Sequence, residues 1–82
     1  MDYKIQFKPR AIKDCKNIHK SHLRLIFEEI ELMKDNLRGD VKKLTDFTPE
    51  YRLRVGAYRV LFEIENDTII IYRIVHRKDA YN

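Results

Sequence analysis

Residues 51–81 read YRLRVGAYRVLFEIENDTIIIYRIVHRKDAY, and this stretch decides the fold. Two turn signals, Gly56-Ala57 and Asn66-Asp67, divide it into three runs rich in β-branched and aromatic residues, at about 51–55, 58–65 and 68–76. Runs of this kind joined by two-residue turns are typical of β-hairpins. We therefore predict three consecutive antiparallel strands, a meander.

The two short loops also predict which residues of the meander face each other, because a two-residue loop fixes the pairing of the strands it joins. The predicted pairs are Glu65–Thr68, Glu63–Ile70, Leu61–Tyr72, Arg59–Ile74, Val55–Tyr58, Arg54–Arg59 and Arg52–Leu61. Residues that face each other lie on the same side of the sheet, so this register assigns every side chain to one of two faces.

Alternation along the strands separates an apolar face from a charged one. The apolar face, which we expect to be the core side, is broken only by Arg73 and comprises Tyr51, Leu53, Val55, Tyr58, Val60, Phe62, Ile64, Ile69, Ile71 and Val75. The opposite face carries its charge on Arg52, Arg54, Arg59 and His76, above a floor of Leu61, Ile70, Tyr72 and Ile74. Three arginines and a histidine are predicted to converge on one patch.

The predicted patch contains an unfavourable contact. Like charges directly across a strand pair destabilise a sheet by roughly 0.2 to 1 kcal/mol. Arg54 opposite Arg59 breaks that rule, and such breaks tend to mark functional sites. The alternative interpretation is that exposed arginines simply keep an open sheet face soluble.

The first half of the chain predicts a strand and two helices. Residues 3–8 alternate as a half-buried strand, and Pro9 opens a short helix to about residue 17. Ser21 is the predicted N-cap of a longer helix that reaches about residue 36, with Gly39 as its C-terminal stop. The expected fold class is α+β, with a helical hairpin on one face of an antiparallel-rich sheet, in a single domain over residues 1–82.

Two leucines lie on the far side of the longer predicted helix. Leu25 and Leu32 are about 180° from its main apolar stripe at 100° per residue. They either pack on the first helix or are covered by a partner.

Composition sets further bounds. The chain has 82 residues with 17 basic and 13 acidic side chains, a net charge of +4 that favours a polyanionic partner. The single cysteine, Cys15, excludes an internal disulfide and suits a reducing compartment. The longest apolar run covers only residues 69–72, so we expect a cytoplasmic protein without a membrane span.

The run YRLRVGAYRVLF at residues 51–62, followed by a hydrophobic strand and HRKDAY at 76–81, resembles the RelE branch of the RelE/ParE toxin superfamily. The strand YKIQF at 3–7, the two-helix segment and VKKL at 41–44 match as well, so the resemblance covers the whole chain. It implies the toxin of a type II toxin–antitoxin system, a ribosome-dependent endoribonuclease that cleaves messenger RNA in the ribosomal A site. It also implies a RelB-like antitoxin as partner and a reaction without metal or cofactor.

Other functions remain compatible with the resemblance. The same superfamily includes ParE-type toxins, which inhibit DNA gyrase by protein binding. A homologue that binds RNA without cleaving it, or a plain interaction module, would carry the same strands.

The resemblance assigns site residues by position. Arg52 and Arg54 fall where the family has basic residues, often lysines, and Arg59 matches the arginine of a tyrosine–arginine pair. Arg77 and Tyr81 match an arginine and a tyrosine near the C-terminus.

Two more basic residues, Lys42 and Lys43, lie in a predicted loop. They either contact RNA or the ribosome, together with Arg52 and Arg54, or are merely solvated.

Proton transfer needs a different side chain. Arginine keeps its proton near neutral pH, so it can neutralise a phosphate but cannot act as a general base. His76 is the only residue of the predicted patch suited to this role, with Glu63 as the second candidate. Arg77 has the wrong parity for the patch unless the strand ends or bulges near His76. Tyr81 either stacks on a base of the RNA, orients a hydroxyl, or simply packs on the protein.

Overall fold

The computed structural model describes residues 1–81, which form two helices and one five-stranded sheet. In chain order the elements are β1 (Lys4–Phe7), α1 (Pro9–Cys15), α2 (Lys20–Leu32), β2 (Val41–Lys43), β3 (Tyr51–Val55), β4 (Tyr58–Glu65) and β5 (Thr68–His76). The strand order is β1-β5-β4-β3-β2, and every neighbouring pair is antiparallel except β1 with β5. The predicted α+β class and the β3–β4–β5 meander are confirmed. Neither of the two helices in these 81 residues is long and apolar enough to cross a membrane.

The parallel pair places the N-terminal strand beside the last one. Lys4 N–H donates to Asp67 O and Lys8 N–H to Ile71 O, each at 2.8 Å, so β1 covers only the first half of β5. Pro9 follows at once and begins α1, because proline fits the first helical position and lacks the N–H that a strand would need. The second half of β5 is therefore left to other partners.

Both ends of α2 differ from the sequence prediction. His19, not Ser21, is the N-cap residue, and its Nδ1 accepts the Ser21 N–H at 3.2 Å. The helix ends at Leu32 rather than near residue 36, because Asn36 and Leu37 both adopt left-handed backbone angles, with φ of 56° and 58°. Asparagine tolerates that conformation well, so the chain turns out of the helix before it reaches Gly39.

The core lies between the helices and one face of the sheet. Its buried members are Ala11, Ile26, Ile30, Met33, Leu53, Val60, Phe62, Ile69, Ile71 and Ile74. Leu25 and Leu32 remain 56% and 42% exposed, so the helical hairpin does not cover them. The opposite face of the sheet carries the charge.

The predicted register of β4 and β5 is correct near their turn and wrong beyond it. The pairs from Glu65–Thr68 to Glu63–Ile70 are as predicted, but a β-bulge then shifts the register between Leu61 and Phe62. Tyr72 is the extra residue on β5. Leu61 therefore faces Arg73 rather than Tyr72, and Arg59 faces Val75 rather than Ile74. A bulge places two residues against one, so every later side chain changes face.

This shift reassigns the end of β5. Ile74, predicted on the charged face, pairs with Val60 and is 2% exposed in the core. Val75, predicted in the core, lies opposite Arg59 on the charged face. His76 moves to the helix side, opposite Tyr58.

Asp14 of α1 holds the shifted segment where β1 has ended. One carboxylate oxygen accepts the Ile74 N–H at 2.9 Å and the Arg73 Nε–H at 2.8 Å, and the other accepts Arg73 Nη2 at 3.2 Å. Burial alone would raise the pKa of Asp14, but these hydrogen bonds and the charges of Arg73 and Arg10 outweigh it, so its pKa is lowered. Arg73, predicted as the exception on the apolar face, instead lies opposite Leu61 of the other face and is the ion-pair partner of Asp14.

Candidate nucleic-acid interface

A cavity of about 460 Å³ opens on the sheet face opposite the helices, over β2, β3 and β4. Its lining is Lys42, Leu44, Thr45, Phe47, Arg52, Arg54, Arg59 and Tyr81. Half of these side chains are cationic and two are aromatic, a combination suited to a phosphate backbone and its bases.

Strand pairing explains why four cations meet here. Lys42 lies opposite Arg52 on β2 and β3, and Arg54 lies opposite Arg59 on β3 and β4, as predicted for the second pair. Residues two apart on one strand share a face, so both rows point to the same side. The predicted convergence of Arg52, Arg54 and Arg59 is confirmed as geometry, and Lys42 joins them.

Asp40 is a residue of this region that the sequence analysis missed. Its carboxylate accepts Arg52 Nη1 at 3.1 Å and Arg54 Nε at 2.6 Å. The hydrogen bond from Arg52, followed by the charge and hydrogen bond of Arg54, lowers the pKa of Asp40. The sequence predicts a loop here, whereas Val41–Lys43 form β2. A loop has no register, so only the position of Asp40 two residues before Lys42 indicates a shared face.

Arg59 is held at the β3–β4 turn. Its Nη1 donates to the carbonyls of Gly56 and Tyr58, both at 2.9 Å. Among the contacts of residues 1–81, these bonds use only one of its three nitrogens, so Nε and Nη2 remain for a ligand.

Two aromatic rings close one side of the cavity. Phe47 and Tyr81 meet edge to face, with ring centroids 5.4 Å apart, and Tyr81 is 46% exposed. The loop that carries Phe47 is fastened to β4, because Glu63 accepts the Glu50 N–H at 2.9 Å. Tyr81, a predicted site residue, lines the cavity, whereas Phe47 lies in a loop without periodicity and no sequence signal identified it.

Lys43 and Glu63 lie outside the cavity lining. Lys43 is paired with Tyr51 on the other face of β2 and β3, and its Nζ is 3.5 Å from the carboxylate of Glu50. Glu63 shares the arginine face but is engaged by the loop backbone. Lys42 and Lys43 point to opposite faces because they are neighbours on a strand, so only Lys42 lines the cavity, and contact of Lys43 with RNA or the ribosome stays a prediction.

His76 does not join the arginines, which corrects the predicted patch. Its ring is 5.6 Å from that of Tyr58, whose other neighbour is His22 of α2 at 5.4 Å, so it lies on the helix side. The bulge turns His76 away from the arginine face, and alternation then places Arg77 on that face. The Arg77 N–H donates to Ala57 O at 2.7 Å and so continues the pairing of β4 with β5. Arg77 itself is exposed and is not part of the cavity lining.

The chemistry that this cavity can perform follows from its lining. Lysine and arginine can bind a phosphate and stabilise negative charge that builds on it. Phe47 and Tyr81 offer faces and edges to nucleobases. The lining contains no histidine and no carboxylate, so within the described residues it holds no ordinary acid–base group for neutral pH.

Comparison with known proteins identifies the family. Residues 5–81 match a family model described as the ParE toxin of the type II toxin–antitoxin system parDE. The chain is 36% identical to the toxin RelE3 of Methanocaldococcus jannaschii over 84 aligned positions, which cover 96% of both chains.

Two solved structures share the fold. The RelB–RelE antitoxin–toxin complex from Methanococcus jannaschii matches with a TM-score of 0.75 and 36% identity, over 88% of this chain and 89% of the other. The RelBE2 toxin–antitoxin complex from Mycobacterium tuberculosis matches with a TM-score of 0.77 and 26% identity, over 94% of this chain and 100% of the other. By sequence and by fold, the chain belongs to the RelE/ParE superfamily of type II toxin–antitoxin systems, as a toxin of the RelE type.

Proposed function

We propose that the chain is a ribosome-dependent endoribonuclease that cleaves messenger RNA in the ribosomal A site and so inhibits translation. The observation that carries this proposal is the cavity itself, which brings Lys42, Arg52, Arg54 and Arg59 together beside the rings of Phe47 and Tyr81. An RNA strand presents the matching features, a phosphate at every nucleotide and bases that can stack.

In the proposed reaction the RNA supplies its own nucleophile. The 2′-oxygen of one nucleotide forms a bond to the adjacent phosphorus, and the bond from phosphorus to the 5′-oxygen of the next nucleotide breaks. The products are a 2′,3′-cyclic phosphate and a 5′-hydroxyl, so the proton lost by the 2′-hydroxyl is balanced by the proton gained at the leaving oxygen. Every atom that reacts belongs to the RNA, so neither a metal nor a cofactor enters the scheme.

The cavity residues would act by charge and position. Negative charge increases on the phosphate oxygens and the leaving oxygen in the transition state, and fixed guanidinium groups stabilise it without reorganisation. Arg52, Arg54 and Arg59 are the candidates for this role, with Tyr81 as the stacking group. Arg77 is the further cation that could reach an RNA on the same face.

A protein antitoxin is the second part of the proposal. The matched solved structures are complexes of RelE toxins with RelB antitoxins, which supports a RelB-like partner for this chain. Leu25 and Leu32 lie on one side of α2, are 56% and 42% exposed, and give such a partner an apolar surface. A toxin that acts on the ribosome would work in the cytoplasm.

The family model carries the ParE name, so gyrase inhibition is the alternative function. The matched relative and complexes are RelE proteins, and the cationic cavity suits RNA, which favours cleavage over gyrase binding.

One experiment separates the two functions. Purified protein is added to messenger RNA with and without programmed ribosomes, and gyrase supercoiling is measured in parallel. We expect cuts that require the ribosome and leave a 2′,3′-cyclic phosphate, together with unchanged supercoiling. Inhibition of gyrase without RNA cleavage would refute the proposal.

A further inference from the structure

Asp40 is the only acidic side chain that contacts the cationic cavity residues within the described chain. The pair Val41–Leu53 sets the β2–β3 register, so the preceding residue, Asp40, falls opposite Arg54. The Arg54 N–H donates to Asp40 O at 3.0 Å and continues the ladder by one step. Alternation then puts Asp40 on the same face as Lys42 and Arg52.

Its contacts grip two guanidinium groups at once. Arg52 Nη1 donates to both the backbone carbonyl of Asp40, at 2.6 Å, and its carboxylate, at 3.1 Å. The other carboxylate oxygen accepts Arg54 Nε at 2.6 Å. Each arginine uses one guanidinium nitrogen to bind Asp40, so its other nitrogens remain available as donors to a ligand. Asp40 itself does not line the cavity.

Stability explains only part of this arrangement. The Arg52 side chain is 14% exposed, so its bonds to Asp40 also help to hold β2 on β3. The Arg54 side chain is 57% exposed and that of Asp40 is 42% exposed, and an ion pair that accessible to water adds little to folding. A negative charge beside a phosphate site also weakens the attraction for RNA. What the carboxylate provides is a fixed orientation for two long side chains that would otherwise be free to rotate.

We propose that Asp40 is a positioning residue, which aligns Arg52 and Arg54 for the phosphate that undergoes cleavage. This inference rests on the proposed RNA cleavage, and it adds a residue outside the cavity lining to the residues on which the rate depends. It predicts a separation of effects, because loss of Asp40 removes alignment while raising the positive charge. The maximal rate should fall while RNA binding stays the same or becomes tighter.

The test compares Asp40→Asn and Asp40→Ala with the wild type in single-turnover cleavage on programmed ribosomes. Asp67→Asn is the matched control, since it removes the same charge from an exposed pair with Lys4 at the far end of the sheet. We expect Asp40→Ala to lower the maximal rate about 10- to 100-fold, the scale of a small misplacement of catalytic groups. The maximal rate of Asp40→Asn, which keeps a hydrogen-bond acceptor, should lie between those of the wild type and Asp40→Ala. The half-saturating toxin concentration should not rise in either variant. Asp67→Asn should match the wild type.

Other outcomes overturn the inference. Unchanged cleavage by both Asp40 variants would show that Asp40 has no part in the reaction. Faster cleavage by both would show that Asp40 competes with the RNA phosphate for the arginines. A higher half-saturating concentration with an unchanged maximal rate would assign Asp40 to binding rather than alignment. If Asp40→Ala does not fold, Asp40→Asn carries the same test.

A readout without RNA distinguishes failure of this inference from failure of the proposed function. Arginine side-chain NMR should show a slowly exchanging Nε–H of Arg54 in the wild type and in Asp67→Asn. This signal should be lost in Asp40→Ala. If the wild type shows this signal but cuts no RNA, the cleavage proposal fails and the alignment by Asp40 stands. If the signal is the same in all variants, the alignment is refuted whatever the activity.

Discussion

Tyr58 and His76 face each other across β4 and β5, with ring centroids 5.6 Å apart. The Tyr58 ring also lies 5.4 Å from that of His22 at the start of α2, so both side chains are on the helix side of the sheet. Arg59, the next residue along β4, points to the other side. The bulge at Tyr72 therefore places the sheet between His76 and the cationic cavity.

It follows that His76 transfers no proton in the proposed reaction. We expect His76→Ala to keep the single-turnover cleavage rate and to give a rate–pH profile that superimposes on that of the wild type. A lost acid–base group typically costs about 10² to 10⁴ in rate, so the two results are easily distinguished. Thermal unfolding of the variant should be measured alongside, because His76 packs on Tyr58. If the variant is folded and loses that much rate, His76 takes part in the reaction after all.

Arg59 should be essential for cleavage and of little importance for folding. Arg59→Ala removes a fixed positive charge from the cavity, and the loss of one such donor costs about 10² to 10³ in rate. Both bonds to turn carbonyls come from one charged nitrogen, and their loss should cost about 1.5 to 3 kcal/mol, the value of a hydrogen bond to a charged group, so the variant should stay folded.

The matched control for Arg59→Ala is Lys43→Ala, which also removes one cation from a strand but from the opposite face. Cleavage rates are compared on programmed ribosomes, with urea unfolding as the check on folding. Equal losses in the two variants would mean that net charge matters and the cavity does not.

The β4–β5 hairpin shows how far sequence patterning predicts this fold. The turn at Asn66-Asp67 was predicted, and the register beside it, because local turn chemistry fixes both. Nothing in the strand marks the bulge, since Tyr72 is neither glycine nor proline and suits a regular strand equally well. The displaced segment is bound by Asp14, which lies 59 residues before Arg73. Such a long-range contact has no local signal.

The candidate site divides in the same way. Arg52, Arg54 and Arg59 could be placed together, because they lie on strands joined by a short loop. Asp40 and Phe47 could not, since β2 is only three residues long and the loop after it has no period. The N-cap of α2 was also predicted wrongly, because serine is the usual N-cap residue and His19 takes that position instead of Ser21.

Asp14 should make the free energy of unfolding depend on pH in the acidic range. The pKa of Asp14 is lowered in the folded chain, so its stabilisation is present above the unfolded-chain pKa of about 3.9 and is lost as pH falls through the lower folded value. Asp14→Asn leaves Arg73 without its charged partner, and we expect it to cost about 1.5 to 3 kcal/mol at pH 7, the value of hydrogen bonds to a charged group.

Urea unfolding at pH 7 and at pH 2.5 measures this effect. The difference between Asp14→Asn and the wild type should shrink at the lower pH, because below a pH of about 3.9 the unfolded wild-type chain takes up a proton on Asp14 that the folded chain, with its lowered pKa, binds less readily. Asp35→Asn, which breaks an exposed pair with Arg38, is the control and should change stability little at either pH. A constant difference for Asp14→Asn across this range would show that its charge is not what stabilises β5.

Expression of the free chain should arrest growth, and a small RelB-like protein encoded beside it should restore growth. The exposed leucines of α2 give this prediction a structural test. Leu25 and Leu32 are seven residues apart on one face of the helix and 56% and 42% exposed, so glutamate at both positions should disturb the core little. The cationic cavity lies on the other side of the sheet, so the double variant should remain toxic.

Neutralisation should fail in that variant, because a charged surface cannot bury against an apolar partner without a large desolvation cost. Growth is measured with and without the co-expressed partner, and Ile12→Glu is the matched control, since Ile12 is 55% exposed on α1. Ile12→Glu should be toxic alone and neutralised normally. Full rescue of the leucine variant would place the antitoxin elsewhere on the chain, and vigorous growth of cells that contain abundant folded wild-type protein without a partner would argue against a toxin altogether.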